Sequence, residues 1–203
     1  MFILSLLIVG MSVPYYNDPR IHNMGNTGHM GKIHALLAPV FTKGIDIVAY
    51  KSVDVRKNMY STFEGDVLDL CCGTGFSTKP AHTGIDTSPE MINMAKMYNK
   101  NSNYIVADAE TFGTRNSYDV VSCMFAFHEI PNEAHINIIN NAIKIARKRV
   151  VIVDISTNYK PSNIMLSGEP FILDYLKNIN TILDDFTKTE LIENHVDSWE
   201  LII

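Results

Sequence analysis

The sequence predicts an α/β protein whose parallel sheet carries helices on both faces. Three observations predict it. From residue 66 onward, short apolar runs alternate with stretches of helical periodicity. The run Val150–Ile155 (VVIVDI) is almost wholly apolar, the pattern of a strand buried on both faces. The chain has 203 residues, enough for one domain with a full core. Strands alternating with helices pair in parallel through right-handed crossovers.

The elements follow in order. Residues 1–10 (MFILSLLIVG) are apolar. They fall short of the roughly 20 residues of a membrane span and lack the basic start of a secretory signal. They read as a buried strand or arm, or as an extension ahead of Met11 as the working start. Residues 11–30, rich in Pro, Asn, Gly, Tyr and His, read as irregular. From Lys32 to about Met59 the apolar spacing is helical, and Pro39 and Gly44 predict a break into two helices.

Asp66–Cys71 reads as a strand, with a short helix expected after Gly75. Thr83–Asp86 is a strand, and Ser88–Tyr98 a helix with Ser88, Pro89 and Glu90 in N-cap and first-turn order. Tyr104–Ala107 and Tyr118–Met124 are strands. Glu133–Arg147 reads as an amphipathic helix capped by Asn132, with Ile136, Ile139, Ile143 and Ala146 on one face. Its basic end (Lys144, Arg147, Lys148) suits the negative pole of a helix. Phe171–Phe186 is a further helix. Lys188–Ile192 and Ser198–Ile203 are closing strands about a turn at Asn194.

Composition narrows the function. A formal net charge of -5 gives no electrostatic footprint for nucleic acid. Three cysteines in no framework spacing point to a reducing, cytoplasmic setting. Membrane association would rest on residues 1–10 alone.

The stretch VLDLCCGTG (67–75) puts an acid inside an apolar strand and ends it on two glycines. Gly73 and Gly75 let the backbone turn tightly and approach a ligand without a Cβ in the way. In doubly wound sheets ligands bind at the carboxyl ends of strands, beside the reversal of strand order. Asp86 ends the next strand, where a carboxylate can accept bonds from two ribose hydroxyls. Asp108 ends the third, placed for a donor such as an adenine amino group. Alone, a glycine turn is only a turn, and a strand-end Asp is often a helix cap. Three in register make a nucleoside pocket. A dinucleotide site would ask for G-x-G-x-x-G, and GTGFST has no third glycine.

VLDLCCGTG, GIDTSPEMINMA (84–95), IVADAE (105–110) and YDVVSCMFAFHEIP (118–131) resemble class I S-adenosylmethionine (SAM) dependent methyltransferases. The closest likeness is to the branch with ubiquinone/menaquinone C-methyltransferases. The resemblance covers about residues 65–156. It implies a Rossmann-like sheet of seven strands, mostly parallel with the last antiparallel. It implies that Asp69, Cys71, Gly73, Thr74 and Gly75 surround the methionine part of SAM. Asp86 would hold the ribose, Thr87 and Met91 would flank the adenosine, and Asp108 and Ala109 would face the adenine. Met124 and Phe125 would border the sulfonium. Residues 1–60 would form an arm and helices over the substrate, and residues 61–203 the SAM-binding part of a single globular unit. Two departures stand out. Cys71 replaces the first glycine of the family pattern, and the short interval from Gly75 to Asp86 shortens the first helix.

Methyl transfer needs alignment and a dry cavity, and an oxygen or carbon nucleophile also needs a base. His128 is the candidate catalytic residue, since an ordinary imidazole accepts protons near neutrality. The alternative is a loop histidine bonded to a backbone carbonyl. Glu129 would orient it or stay solvated. Tyr15, Tyr16, His22 and His29 are candidates for the acceptor pocket. No metal is expected, and Cys71 and Cys72 read as packing on opposite faces of a strand. The expected function is SAM-dependent methylation of a small-molecule acceptor, quinone or lipid-like. The alternatives are a SAM-binding regulatory or partner subunit without catalysis, or a protein or nucleic-acid methyltransferase.

Overall fold

The computed structural model describes residues 15–17 and 25–203. The expectations for residues 1–10, Met11 and His22 lie outside the described residues. Seven strands form one sheet: β1 (Val67–Leu70), β2 (Thr83–Asp86), β3 (Asn103–Val106), β4 (Tyr118–Met124), β5 (Ala146–Ile155), β6 (Thr187–Ile192) and β7 (Val196–Ile202). Their spatial order is β3-β2-β1-β4-β5-β7-β6. The five strands from β3 to β5 are parallel, and β7 runs antiparallel to both β5 and β6. The order reverses between β1 and β4, which fixes the ligand crevice at their carboxyl ends.

Side-chain alternation along each strand supplies a core on either face. Leu68, Leu70, Val121, Cys123, Val150 and Ile152 point to the face covered by α4 (Asn132–Ile145) and α6 (Ile172–Ile182). Val67, Val120, Met124, Val151 and Val153 point to the other, with Tyr50, Val55 and Phe63. Over that second face lie the end of α1 (Gly28–Val48) and the short α2 (Val55–Ser61). Helix α3 (Pro89–Tyr98) closes it over Cys72 and Tyr104. It starts as read: Ser88 Oγ accepts the Met91 N–H at 3.2 Å.

Five expectations are corrected. The break between the first two helices does not fall at Pro39 or Gly44; α1 runs through both. Its proline keeps a helical φ and is buried, while the chain turns at Lys51 and Ser52, both left-handed (φ 51° and 66°). No helix follows Gly75; residues 71–82 form turns, because too few residues separate the strands. Helix α4 is capped by Pro131, with Asn132 its first residue and no side-chain cap. Its buried face is Ala134, His135, Ile138, Ile139, Ala142 and Ile145, whereas Ile136 is 49% exposed. The helix stops at Ile145, so Arg147 and Lys148 belong to β5, where Arg147 pairs with Asp66 and Asp119 at 3.2 and 3.1 Å. A further short helix, α5 (Asn163–Gly168), precedes α6.

Gly84, inside β2, shows how tightly the turns pack on the sheet. A Cβ there would meet Thr78 Oγ1 at 2.7 Å and both Cys72 Sγ and a Tyr104 ring carbon at 2.9 Å. Gly84→Ala is therefore expected to destabilise the fold by about 1–3 kcal/mol, read as a lower urea midpoint with an unchanged slope.

Candidate active site

The carboxyl end of β1 turns sharply at Cys71, whose φ is 54°. Only glycine takes this left-handed conformation without strain. The Cys71 thiol leans on the core and hydrogen-bonds Cys123 of β4. Gly73 and Gly75 follow, also at positive φ (51° and 84°). A Cβ on Gly73 would meet nothing within 4 Å, so this backbone faces open space. Such a bare stretch is what a nucleoside cofactor needs in order to approach.

Asp86 fixes the turn. Its Oδ2 accepts the Gly73 N–H at 2.9 Å and its Oδ1 the Ser88 N–H at 2.8 Å. One carboxylate thus joins the turn after β1 to the N-cap of α3. A carboxylate oxygen has two acceptor sites, the chemistry that ribose hydroxyls call for.

Asp69 is oriented differently from what its place in the motif suggests. It is wholly buried, and its carboxylate accepts the Ser77 and Thr78 hydroxyls at 2.8 and 2.7 Å. Burial pushes its pKa up to about 7, against the lowering effect of those hydroxyls. It holds the residues that replace the absent helix.

At the end of β3, Asp108 Oδ1 accepts the Glu110 N–H at 2.9 Å. Ala109 is buried in the core, and its carbonyl accepts from Asn141 Nδ2 at 2.8 Å. Met124 is buried among the β-strand valines of the second face. Phe125, left-handed at φ 58°, stacks on Tyr50 at 5.8 Å with the Arg56 guanidinium 4.1 Å from its ring centre. Thr74 and Met91 are buried beside the turn, and Thr87 is half-buried. The structure therefore gathers Cys71, Gly73, Gly75, Asp86, Thr87 and Asp108 at one edge. Asp69, Ala109 and Met124 lie in the wall behind it.

Of the acceptor candidates, Tyr15 comes to this edge. Its hydroxyl bonds Glu110, and burial first, then the nearby Cys71, Glu110 and Asp108, hold its pKa well above the ordinary value. Tyr16 contacts it edge-on at 5.4 Å, while His29 is exposed in the first turn of α1. Two surface hollows lie away from the glycine turn. One is at the amino ends of β1, β2 and β4, around Asp66, Thr83 and Tyr118; the other runs beside α4, around Asn137 and Asn141.

His128 is buried under the loop after β4, and sequence reasoning missed its partner. Its Nδ1 lies 2.5 Å from Asp154 Oδ1 at the end of β5. The same carboxylate accepts the N–H groups of Phe127 (2.7 Å), His128 (3.2 Å) and Ile155 (2.7 Å). An acid ending an apolar strand was the available signal, as for Asp86. Burial lowers the His128 pKa, but Asp154 above all, with Glu129 and Glu169, outweighs it and raises the pKa to about 9. The pairing with Asp154 thus favours the charged imidazolium over the neutral ring that a general base needs.

Residues 67–149 match the family described as a methyltransferase domain. Three solved structures share the fold. A SAM-dependent methyltransferase from Aquifex aeolicus is 18% identical with TM-score 0.58, over 81% of this chain and 98% of its own. The DhpI–SAH complex is 15% identical with TM-score 0.58, over 83% and 91%. The magnesium protoporphyrin IX methyltransferase of Synechocystis PCC 6803 with bound SAH is 18% identical with TM-score 0.51, over 75% and 80%. A search of curated proteins finds no significant match. Domain match, strand order and glycine turn agree: residues 67–149 match a methyltransferase domain, and the chain shares the fold of SAM-dependent methyltransferases.

Proposed function

We propose that this protein transfers the methyl group of SAM to a small, apolar acceptor of quinone or lipid-like character, in the cytoplasm. The observation that carries the reading is Asp86, bridged to Gly73 and Ser88 beside a bare, open turn. Bound there, SAM supplies an electrophilic methyl group on a sulfonium. The chain's own residues do the rest. Cys71, Gly73, Thr74 and Gly75 shape the methionine end. Asp86 accepts the ribose hydroxyls, Thr87 and Met91 flank the adenosine, and Asp108 meets the adenine edge. Phe125 and its Tyr50 stack wall the sulfonium side and keep water out. Tyr15, bonded to Glu110, and residues 25–60 would serve as a substrate lid over the edge.

His128 we place as a positioning cation. Held by Asp154, it ties the loop after β4 to the end of β5, the side from which an acceptor would enter. A charged imidazole there orients an acceptor oxygen by donating a hydrogen bond. The acceptor's own acidity, or a lone pair already free, then sets the nucleophile. Small-molecule chemistry is favoured over nucleic acid because the net charge of -5 offers no phosphate footprint.

Two outcomes test this. Asp86→Ala should lose a charge-assisted bond of about 1.5–3 kcal/mol, weakening SAM binding roughly ten- to a hundred-fold by calorimetry. An unchanged affinity would remove the ribose assignment. The second concerns pH. His128 has a folded pKa of about 9, above the ordinary 6.5. Its stabilisation is therefore full below pH 6.5 and lost as pH rises through 9, a loss on the order of 3 kcal/mol. Denaturant titrations of wild type should show that decline, and in His128→Gln the decline across the same window should be smaller by about that amount. Identical curves would mean that the ion pair does not form.

A further inference from the structure

Helix α1 carries its apolar side outward. Its buried residues are Gly31, His34, Ala35 and Pro39, small or polar. Leu36, Val40, Phe41, Ile47 and Val48 are between 53% and 84% exposed. At 3.6 residues per turn these five fall within an arc of about 140°. Lys32 and Lys43, both exposed, flank one margin of that arc. The helix has one acid, Asp46, and Arg56 neutralises it at 3.1 Å. The outward face thus offers apolar side chains and cations, in a chain whose net charge is -5.

The helix is also held against the candidate active site at both ends. Near its start, Gly28 N–H donates to Glu90 at 3.1 Å and Ser88 Oγ to the Asn26 carbonyl at 2.5 Å. Just past its end, Tyr50 stacks on Phe125 at the carboxyl end of β4. Ser88 and Phe125 both follow strands whose carboxyl ends form the cofactor edge.

We propose that the outward face of α1 is a membrane-interface surface, which lies in the headgroup region of an anionic bilayer and holds the carboxyl edge of the sheet there. An amphipathic helix with aliphatic and aromatic side chains on one side and lysines at the rim binds in this way. Contact is lateral, since among the described residues no helix is long and apolar enough to cross a membrane. A second copy on this face is the weaker occupant, because it would bring the same lysines toward each other. The inference deepens the proposed function: it rests on an apolar acceptor and locates the phase that holds it.

The test is flotation of the full chain, without SAM, with vesicles of phosphatidylcholine alone or with added phosphatidylglycerol. Binding to the anionic vesicles is expected to be roughly thirty-fold tighter, the factor two lysines supply near such a surface. Val40→Glu/Ile47→Glu should weaken it roughly a hundred-fold, with melting curve and SAM affinity unchanged. Lys32→Gln/Lys43→Gln should remove the preference for phosphatidylglycerol. Wild-type binding retained in Val40→Glu/Ile47→Glu overturns the proposal, since another segment then makes the contact. Absence of wild-type binding to either vesicle overturns it too. So does a wild-type dimer, seen by light scattering, that the same double variant splits and that binds no vesicle. Because flotation needs no cofactor, its failure leaves the SAM site standing, and loss of the SAM site leaves flotation unaffected.

Discussion

The buried carboxylate of Asp69 is the interaction on which the rest of the site depends. Parallel strands need a crossover of a dozen or more residues, usually helical. Here residues 71–82 make the crossover from β1 to β2 without a helix. Without helical hydrogen bonds, the backbone must be held by side chains. Ser77 and Thr78 reach back to Asp69, and Lys79 donates to the Phe63 carbonyl. These anchors let the turn present Gly73 to Asp86. The candidate site therefore stands on loop contacts where a helix end would otherwise serve.

Three acids at the carboxyl edge thereby acquire different work from different surroundings. Asp69 is wholly buried with hydroxyl partners, so its carboxyl is easily protonated and serves structure. Asp86 is half-buried, and its two oxygens accept the Gly73 and Ser88 amides. Asp154 is buried, but three amides and an imidazolium surround it. Sequence position alone gives Asp86 and Asp154 the same appearance. Local dielectric and donor count separate them.

Much of this architecture is legible in the sequence, and the exceptions have physical causes. β2, β4 and the start of α3 read correctly because alternation and capping are local signals. Asp86 reads as a strand end, and Gly73 as a turn, because each closes or follows a short apolar run. Helix α4 misled: Ile136 fits the apolar period, yet the buried stripe lies one residue over, where it meets the sheet. The Pro39 break failed because a proline whose φ suits a helix is tolerated when packing holds the rest. The His128–Asp154 pair joins residues far apart in the chain, so no spacing could reveal it. The apolar outer face of α1 was hidden by the same ambiguity: periodicity finds a stripe and cannot say which way it points.

Cys71 and Phe125 end neighbouring strands, and both hold left-handed backbone that glycine would take freely. Each such residue stores about 1–3 kcal/mol. The valine- and isoleucine-rich middle of the sheet carries no comparable tension. Local unfolding free energy is therefore lower at these two strand ends than in the strands beneath, and amides there should exchange their hydrogens first. The same ends can open and reclose around a ligand while the scaffold stays folded.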